Sequence, residues 1–207
     1  MIFGITGGSG SGKSHIVKYL KEKIPKSKLS FINQDNYYKK RQNQTKDEKG
    51  KYNFDLPTSF KNGELIDDII SLKNGIKIKR IQYNYNNSSI KPKILVTHPK
   101  SIIILEGLFI FSNKKICSHI DYKIFIDASV DTMLKRRIKR DSEQRGYDRL
   151  DVEYKFKNHV LPSYENHILP QKNTSDFVIN NDLDNLDAAH QVYKLINQQF
   201  FSNYNIY

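Results

Sequence analysis

One cysteine, Cys117, stands in 207 residues. With no second thiol there is neither a disulfide framework nor a cysteine zinc cluster, and a reducing, cytoplasmic setting is expected. Long apolar runs are missing too: the longest, 101–105 and 108–111, fall far short of the roughly 20 residues that cross a bilayer. Met1 leads straight into residues 2–6 without the basic n-region or small-residue cleavage site of a signal peptide. Internal repeats and low-complexity linkers are absent. Arginine is scarce, 7 of the 34 basic residues, and this changes what the formal charge of +12 means. A strongly basic chain attracts phosphates non-specifically, but here the lysines are scattered among asparagines and isoleucines, the mark of a compositional bias. The expected partners are small phosphorylated anions, with neither nucleic acid nor a membrane.

What remains suffices for a core. Hydrophobic residues make up 38% and aromatics 12%, which excludes a disordered or collagen-like chain despite a mean hydropathy of −0.64. The length fits one domain, 1–207. Short apolar runs at 2–6, 29–33, 101–106, 122–127 and 177–180 alternate with amphipathic stretches at 13–23, 63–72, 130–145, 150–167 and 186–201. That alternation predicts an α/β fold, a five-stranded parallel sheet flanked by helices. Residues 76–96 break the pattern. Ile76, Ile78, Ile81, Tyr83 and Tyr85 alternate with polar residues, and Asn86-Asn87-Ser88-Ser89 supplies turn chemistry, so a β-hairpin lobe is expected there.

Gly7-Gly8-Ser9-Gly10-Ser11-Gly12-Lys13-Ser14 satisfies G-x-x-x-x-G-K-[ST], directly after the first strand and at the start of the first helix. A flexible turn is the alternative, but that placement favours a P-loop. Its glycines let backbone N–H groups converge on phosphate oxygens, and the helix N-terminus adds favourable partial charge. Lys13 would reach the β and γ phosphates, and the Ser14 hydroxyl would ligate Mg2+. Ile102-Ile103-Ile104-Leu105-Glu106 is an apolar strand ending in a carboxylate, which in an open α/β sheet meets the phosphate loop at the carboxyl edge. Glu106 is expected on the metal side of the site, unless the strand merely happens to end in Glu. Asp35 follows the strand 29–33 at the same edge, where a carboxylate can accept a proton from an attacking hydroxyl or hold it in line. On the helix 130–145, Arg137 and Arg140 share a face, with Arg136 beside them and Arg145 close behind. These cations can neutralise charge developing in phosphoryl transfer, or simply answer the helix dipole. No N-K-x-D motif follows, since Asn113-Lys114-Lys115-Ile116 lacks the acid, which argues against a GTP-dependent switch.

Taken in order, several stretches resemble the uridine kinase (uridine/cytidine kinase) family of P-loop kinases, from about residue 3 to residue 201. They are Gly4-Ile5-Thr6 with the loop through Ser14, Gln34-Asp35-Asn36-Tyr37-Tyr38, Asn53-Phe54-Asp55-Leu56-Pro57, Ile104-Leu105-Glu106-Gly107, Arg136-Arg137-Ile138-Lys139-Arg140-Asp141 and Glu143-Gln144-Arg145-Gly146. The resemblance implies a P-loop NTPase fold with a substrate hairpin at 76–96 and an arginine-bearing helical lid at 130–149. It implies transfer of the ATP γ-phosphoryl, with Mg2+ and with GTP left open as donor, to the 5′-hydroxyl of a pyrimidine ribonucleoside by a homotetramer. Asp35 then resembles the catalytic carboxylate, Asp55 the ribose-binding acid and Arg137 a substrate arginine. Arg140 and Arg145 fall in the lid over the triphosphate, Asp184 near the adenine, and Tyr83 at the base. The chain departs from the family pattern at the base: Ser88 replaces a histidine, Tyr147 an arginine and Lys155 a glutamine. These departures leave open a related acceptor, as in phosphoribulokinase or pantothenate kinase, or an inactive nucleotide-binding interaction protein.

Overall fold

The computed structural model describes residues 1–84, 91, 93–183 and 186–202. Apolar runs of five or six residues make the central strands, and they are buried along their whole length as two-sided coverage requires: β1 (Ile2–Gly7) and, further on, the strand Ile102–Glu106. Between them come α1 (Lys13–Lys23), β2 (Leu29–Asn33), the two-residue strands β3 (Thr45–Lys46) and β4 (Tyr52–Asn53), α2 (Asn62–Lys73), β5 (Ile78–Ile81) and β6 (Ile94–Thr97). The strand Ile102–Glu106 is β7, followed by α3 (Lys114–Cys117), β8 (Tyr122–Asp127), α4 (Val130–Arg145), α5 (Arg149–Lys155), α6 (Leu161–Ser163), β9 (Phe177–Asn180) and α7 (Asp187–Ser202).

The sheet runs β2-β7-β1-β8-β9, every pair parallel. The side-chain period of two splits its core: Phe3, Ile5 and Ile104 pack towards α1 and α7 with Leu20, Val192 and Ile196. Ile2, Ile103 and Leu105 pack the other way, against Leu65 and Ile69 of α2 and Ile116 of α3. A third cluster, with Phe109, Phe125, Met133, Phe156 and Tyr164, fills the space under the helical arm that follows α4. Because the strands are parallel, Gly7, Asn33, Glu106, Asp127 and Asn180 all end at one edge, and the loops that leave them converge there.

The expected strands and helices are present with one correction. The stretch 150–167 is helical as expected, but it is not one uniform α-helix. Instead α5 passes into wide five-residue turns at Phe156–Val160 and Tyr164–Ile168, with α6 between them and tight turns over Leu169–Thr174. Pro162 and Pro170 account for this, since a proline lacks the N–H and its ring clashes with the carbonyl four residues back, which a widened turn relieves. Asn158 and Asn166 cap carbonyls along the arm, donating to Tyr154 O at 2.7 Å and Pro162 O at 2.8 Å. The expected hairpin is present as β5 and β6, antiparallel with Ile81 opposite Ile94. It is tied to α2 through Arg80, which pairs with Asp68 and, at 2.5 Å, with Glu64. Its tip, including Ser88, lies outside the described residues. No described helix is long and apolar enough to cross a membrane.

Ile104, fully buried at the centre of β7, should lose about 2–5 kcal/mol of unfolding free energy on substitution to Ala. Val178 on the edge strand β9 is 43% exposed, and Val178→Ala should cost under about 1 kcal/mol. Urea unfolding of the two variants beside the parent checks the contrast.

Candidate active site

The loop between β1 and α1 takes its shape from backbone that only glycine tolerates. Gly10 and Gly12 have φ of 92° and 99°. A Cβ would fall 2.4 Å from Met133 O at Gly10 and 2.1 Å from Asn181 Nδ2 at Gly12. Asn181 in turn donates to Ser11 O at 2.8 Å, bracing the loop from the end of β9. No side chain caps the N-terminus of α1, so its first N–H groups face the loop's concavity, as an anion site requires. The Ser11 hydroxyl is buried without a hydrogen-bond partner.

Lys13 folds under this loop, its Nζ donating to Gly7 O at 2.8 Å and Gly8 O at 2.9 Å. Burial pulls its pKa down to about 8, although the negative charges of Glu106 and Asp35 act in the opposite sense. Glu106, buried at the end of β7, is pushed up to about 7, first by burial and then by the charge of Asp35, with Lys13 opposing. Asp35 sits in the tight turn after β2, where its backbone N–H donates to Asn33 Oδ1 at 2.7 Å. One ammonium and two carboxylates are thus held at the carboxyl edge with little water to screen them.

A cavity of about 710 Å3 opens over this cluster. Ser9, Gly10, Gly12, Lys13 and Ser14 line it from the loop, while Gly7, Gly8 and Ser11 turn the chain behind that lining. Asp35, Glu106, Asp55, Tyr83, Arg137, Arg140, Arg145, Tyr147 and Lys155 line it as well. Arg137 ties the loop to Asp55, its Nη1 donating to Ser9 Oγ at 2.9 Å and pairing with Asp55 Oδ1 at 3.4 Å. Tyr83 donates its backbone N–H to Asn36 Oδ1 at 3.0 Å and rests its ring on Tyr38 at 4.7 Å. Lys155 pairs with Asp151 at 2.7 Å and lies 5.1 Å over the Tyr147 ring. The structure therefore collects the predicted residues at one cavity, apart from Ser88 and Asp184, which lie outside the described residues.

Two participants, Asp141 and Asp47, were given no role by the sequence reading, which had set Arg136 among the cations of the phosphate site. Asp141, four residues from both Arg137 and Arg145, pairs with both and with Arg140; the i, i+4 spacing was the available signal. Arg136 turns away from the other arginines to donate to Asn181 O at 2.7 Å and Leu183 O at 3.3 Å. Asp47, in the turn between β3 and β4, accepts from Tyr154 at 2.8 Å and lies 2.8 Å from His159 Nε2, joining that turn to the helical arm. Only the fold brings those last three together.

The family model described as phosphoribulokinase/uridine kinase matches residues 2–186. The chain belongs to that family. Among its kinase relatives, the uridine kinase of Staphylococcus carnosus (strain TM300) is 35% identical over 178 residues, 86% of each chain. The uridine kinase of Bacillus mycoides (strain KBAB4) is 34% identical over 179 residues, covering 86% of this chain and 84% of its own. In three dimensions, phosphoribulokinase from Rhodobacter spheroides matches with a TM-score of 0.61 at 18% identity, over 86% of this chain and 69% of that one. A possible uridine kinase from Bacillus stearothermophilus gives 0.59 at 14% identity, over 86% and 87%. These two establish a shared P-loop kinase fold. As a member of the family the protein is a kinase, passing a phosphoryl group from a nucleotide donor to a hydroxyl.

The raised pKa of Glu106 has a consequence for stability. Between about pH 4.5 and 7 the folded chain holds this proton and the unfolded chain does not, so the contribution is full below that window and is lost as pH rises through about 7. Unfolding free energies measured from pH 5 to 7.5 should fall less steeply in Glu106→Gln than in the parent.

Proposed function

We propose that the protein transfers the γ-phosphoryl group of ATP to the 5′-hydroxyl of uridine or cytidine, in the cytoplasm and as a homotetramer. The observation that carries this reading is the arrangement around one cavity. The buried Lys13 and Glu106, the half-buried Asp35 and the Asp55–Arg137 pair line the same cavity, in a chain 35% identical to a uridine kinase.

The residues fit a metal-bound triphosphate. The glycine cradle, the uncapped α1 terminus and the buried Ser11 hydroxyl without a partner favour phosphate oxygens. Ser14 and Glu106 offer hard oxygen donors to Mg2+, which usually takes one or two carboxylates together with phosphates and water. Mg2+ supplies charge neutralisation at the β and γ phosphates.

The protein's own side chains supply the rest. Lys13, Arg140 and Arg145 neutralise the triphosphate and hold it in line. Asp35 accepts the proton of the 5′-hydroxyl as the new P–O bond forms and the bond to the β-phosphate oxygen breaks. Asp55 accepts hydrogen bonds from the two vicinal ribose hydroxyls, and Arg137 fixes its position. Tyr83, with Tyr38 behind it, gives the base an aromatic face. Tyr147 and Lys155 complete the base end, and the family resemblance assigns Ser88 to the base and Asp184 to the adenine. A diol-binding acid suits a ribonucleoside better than pantothenate, which favours this acceptor over that one alternative.

Purified protein with Mg-ATP and a panel of nucleosides, ribulose 5-phosphate and pantothenate should form UMP and CMP. Asp35→Asn should lower kcat by roughly 10²- to 10⁴-fold with the fold intact. Turnover of another acceptor alone would overturn the substrate assignment.

A further inference from the structure

Asp141 takes no part in the reaction above, yet it is only 3% exposed and it borders the cavity. Three guanidiniums converge on it. Its Oδ1 receives Arg140 Nε at 2.8 Å and Arg145 Nη1 at 3.1 Å, and its Oδ2 lies 3.3 Å from Arg137 Nε. From there Arg137 reaches Ser9 of the phosphate loop and Asp55. Burial alone would raise the pKa of this carboxyl, but the Arg140 hydrogen bond and the charges of all three arginines hold it below the usual range. Oδ1 thus takes the Arg140 hydrogen bond and the Arg145 contact, while Oδ2 meets Arg137 Nε by charge alone, since that Nε makes no hydrogen bond.

The arrangement follows from α4. Residues 137, 141 and 145 succeed one another at i, i+4 on one face, and 140 adjoins them. Like charges so placed repel, and arginine side chains are rich in rotamers, so without an anion between them the guanidiniums would fan apart. One buried carboxylate converts three mobile cations into a fixed set, still carrying excess positive charge, beside the phosphate loop.

We propose that Asp141 is a positioning residue that sets Arg137, Arg140 and Arg145 for the triphosphate, a role that rests on the kinase reading of the cavity. Two physical effects predict opposite outcomes for its removal. As a bare negative charge beside an anion site, Asp141 repels triphosphate, and neutralising it would tighten binding. As the holder of the arginines, its neutralisation weakens binding and slows transfer.

The test compares the full-length parent with Asp141→Asn and Asp141→Glu, using calorimetric titration with Mg-ATP, turnover of the acceptor found above, and thermal unfolding. Asp141→Asn should weaken Mg-ATP binding at least about fivefold and lower kcat at least about tenfold, with Asp141→Glu recovering part of both losses. Arg145→Ala should cost several-fold less in the Asp141→Asn background than in the parent, because its guanidinium has already lost its place. Tighter or unchanged binding by a folded Asp141→Asn, or an equal cost of Arg145→Ala in both backgrounds, would overturn the proposal. If Asp141→Asn does not fold, Arg140→Ala and Arg145→Ala, singly and together, decide it. Effects on Mg-ATP affinity that multiply independently contradict a shared anchor, and effects that fall short of the product support it. A parent that binds Mg-ATP but turns over no acceptor refutes the kinase reading, and the binding results then decide the role of Asp141 alone.

Discussion

The buried ammonium of Lys13 between Glu106 and Asp35 is the constraint on which the active site depends. An isolated charge taken out of water is costly, and a group so placed either neutralises or acquires partners. Here the partners come from three different strand ends, β1 through its loop, β2 and β7, brought to one edge by parallel pairing. Two loop carbonyls take the ammonium protons, and the carboxylates supply opposing charge that burial itself weakens by holding Glu106 near neutrality. The cluster is poised between ionisation states, as groups that bind a metal-nucleotide and move a proton need to be.

The same edge explains how chemistry and specificity are separated. Phosphate-side residues sit on the sheet and on α4, elements fixed by the core. On the proposed reading the base side is made of the β5–β6 hairpin, the β3–β4 turn and the helical arm, held by polar ties such as Arg80 to Asp68 and Asp47 to His159. On that reading a substitution at Tyr147 or Lys155 should alter what the cavity reads while leaving Lys13, Asp35 and Glu106 in place. Polar base readers discriminate because an unpaired buried group costs roughly 1–3 kcal/mol.

The central sheet was legible because its strands are continuous apolar runs with distinct ends, and the phosphate loop because its glycine spacing encodes its backbone. Asp35 and Glu106 were legible through position, since each closes or follows a strand whose end must face the loop, whereas Asp55 was legible only through the family resemblance. The helical arm over 150–167 was legible from its apolar period, but its wide turns were not, because the effect of Pro162 is to widen turns and not to end the arm. The β3–β4 turn is too short to carry a period, and its tie to His159 spans 112 residues of chain. Asp141 stood in plain view beside the arginines, but whether a helical acid points to solvent or to a buried cationic cluster depends on what covers that face.

Proton exchange on nucleotide binding tests the charge cluster most directly. Titration of the protein with preformed Mg-ATP at pH 6.5, in two buffers of different ionisation enthalpy, gives the number of protons released. Glu106, whose pKa burial raises to about 7, should give up protons as the metal-nucleotide binds, and Glu106→Gln should release fewer. Tight binding by the parent with no proton exchange would contradict a cluster held near neutrality until the metal-nucleotide arrives.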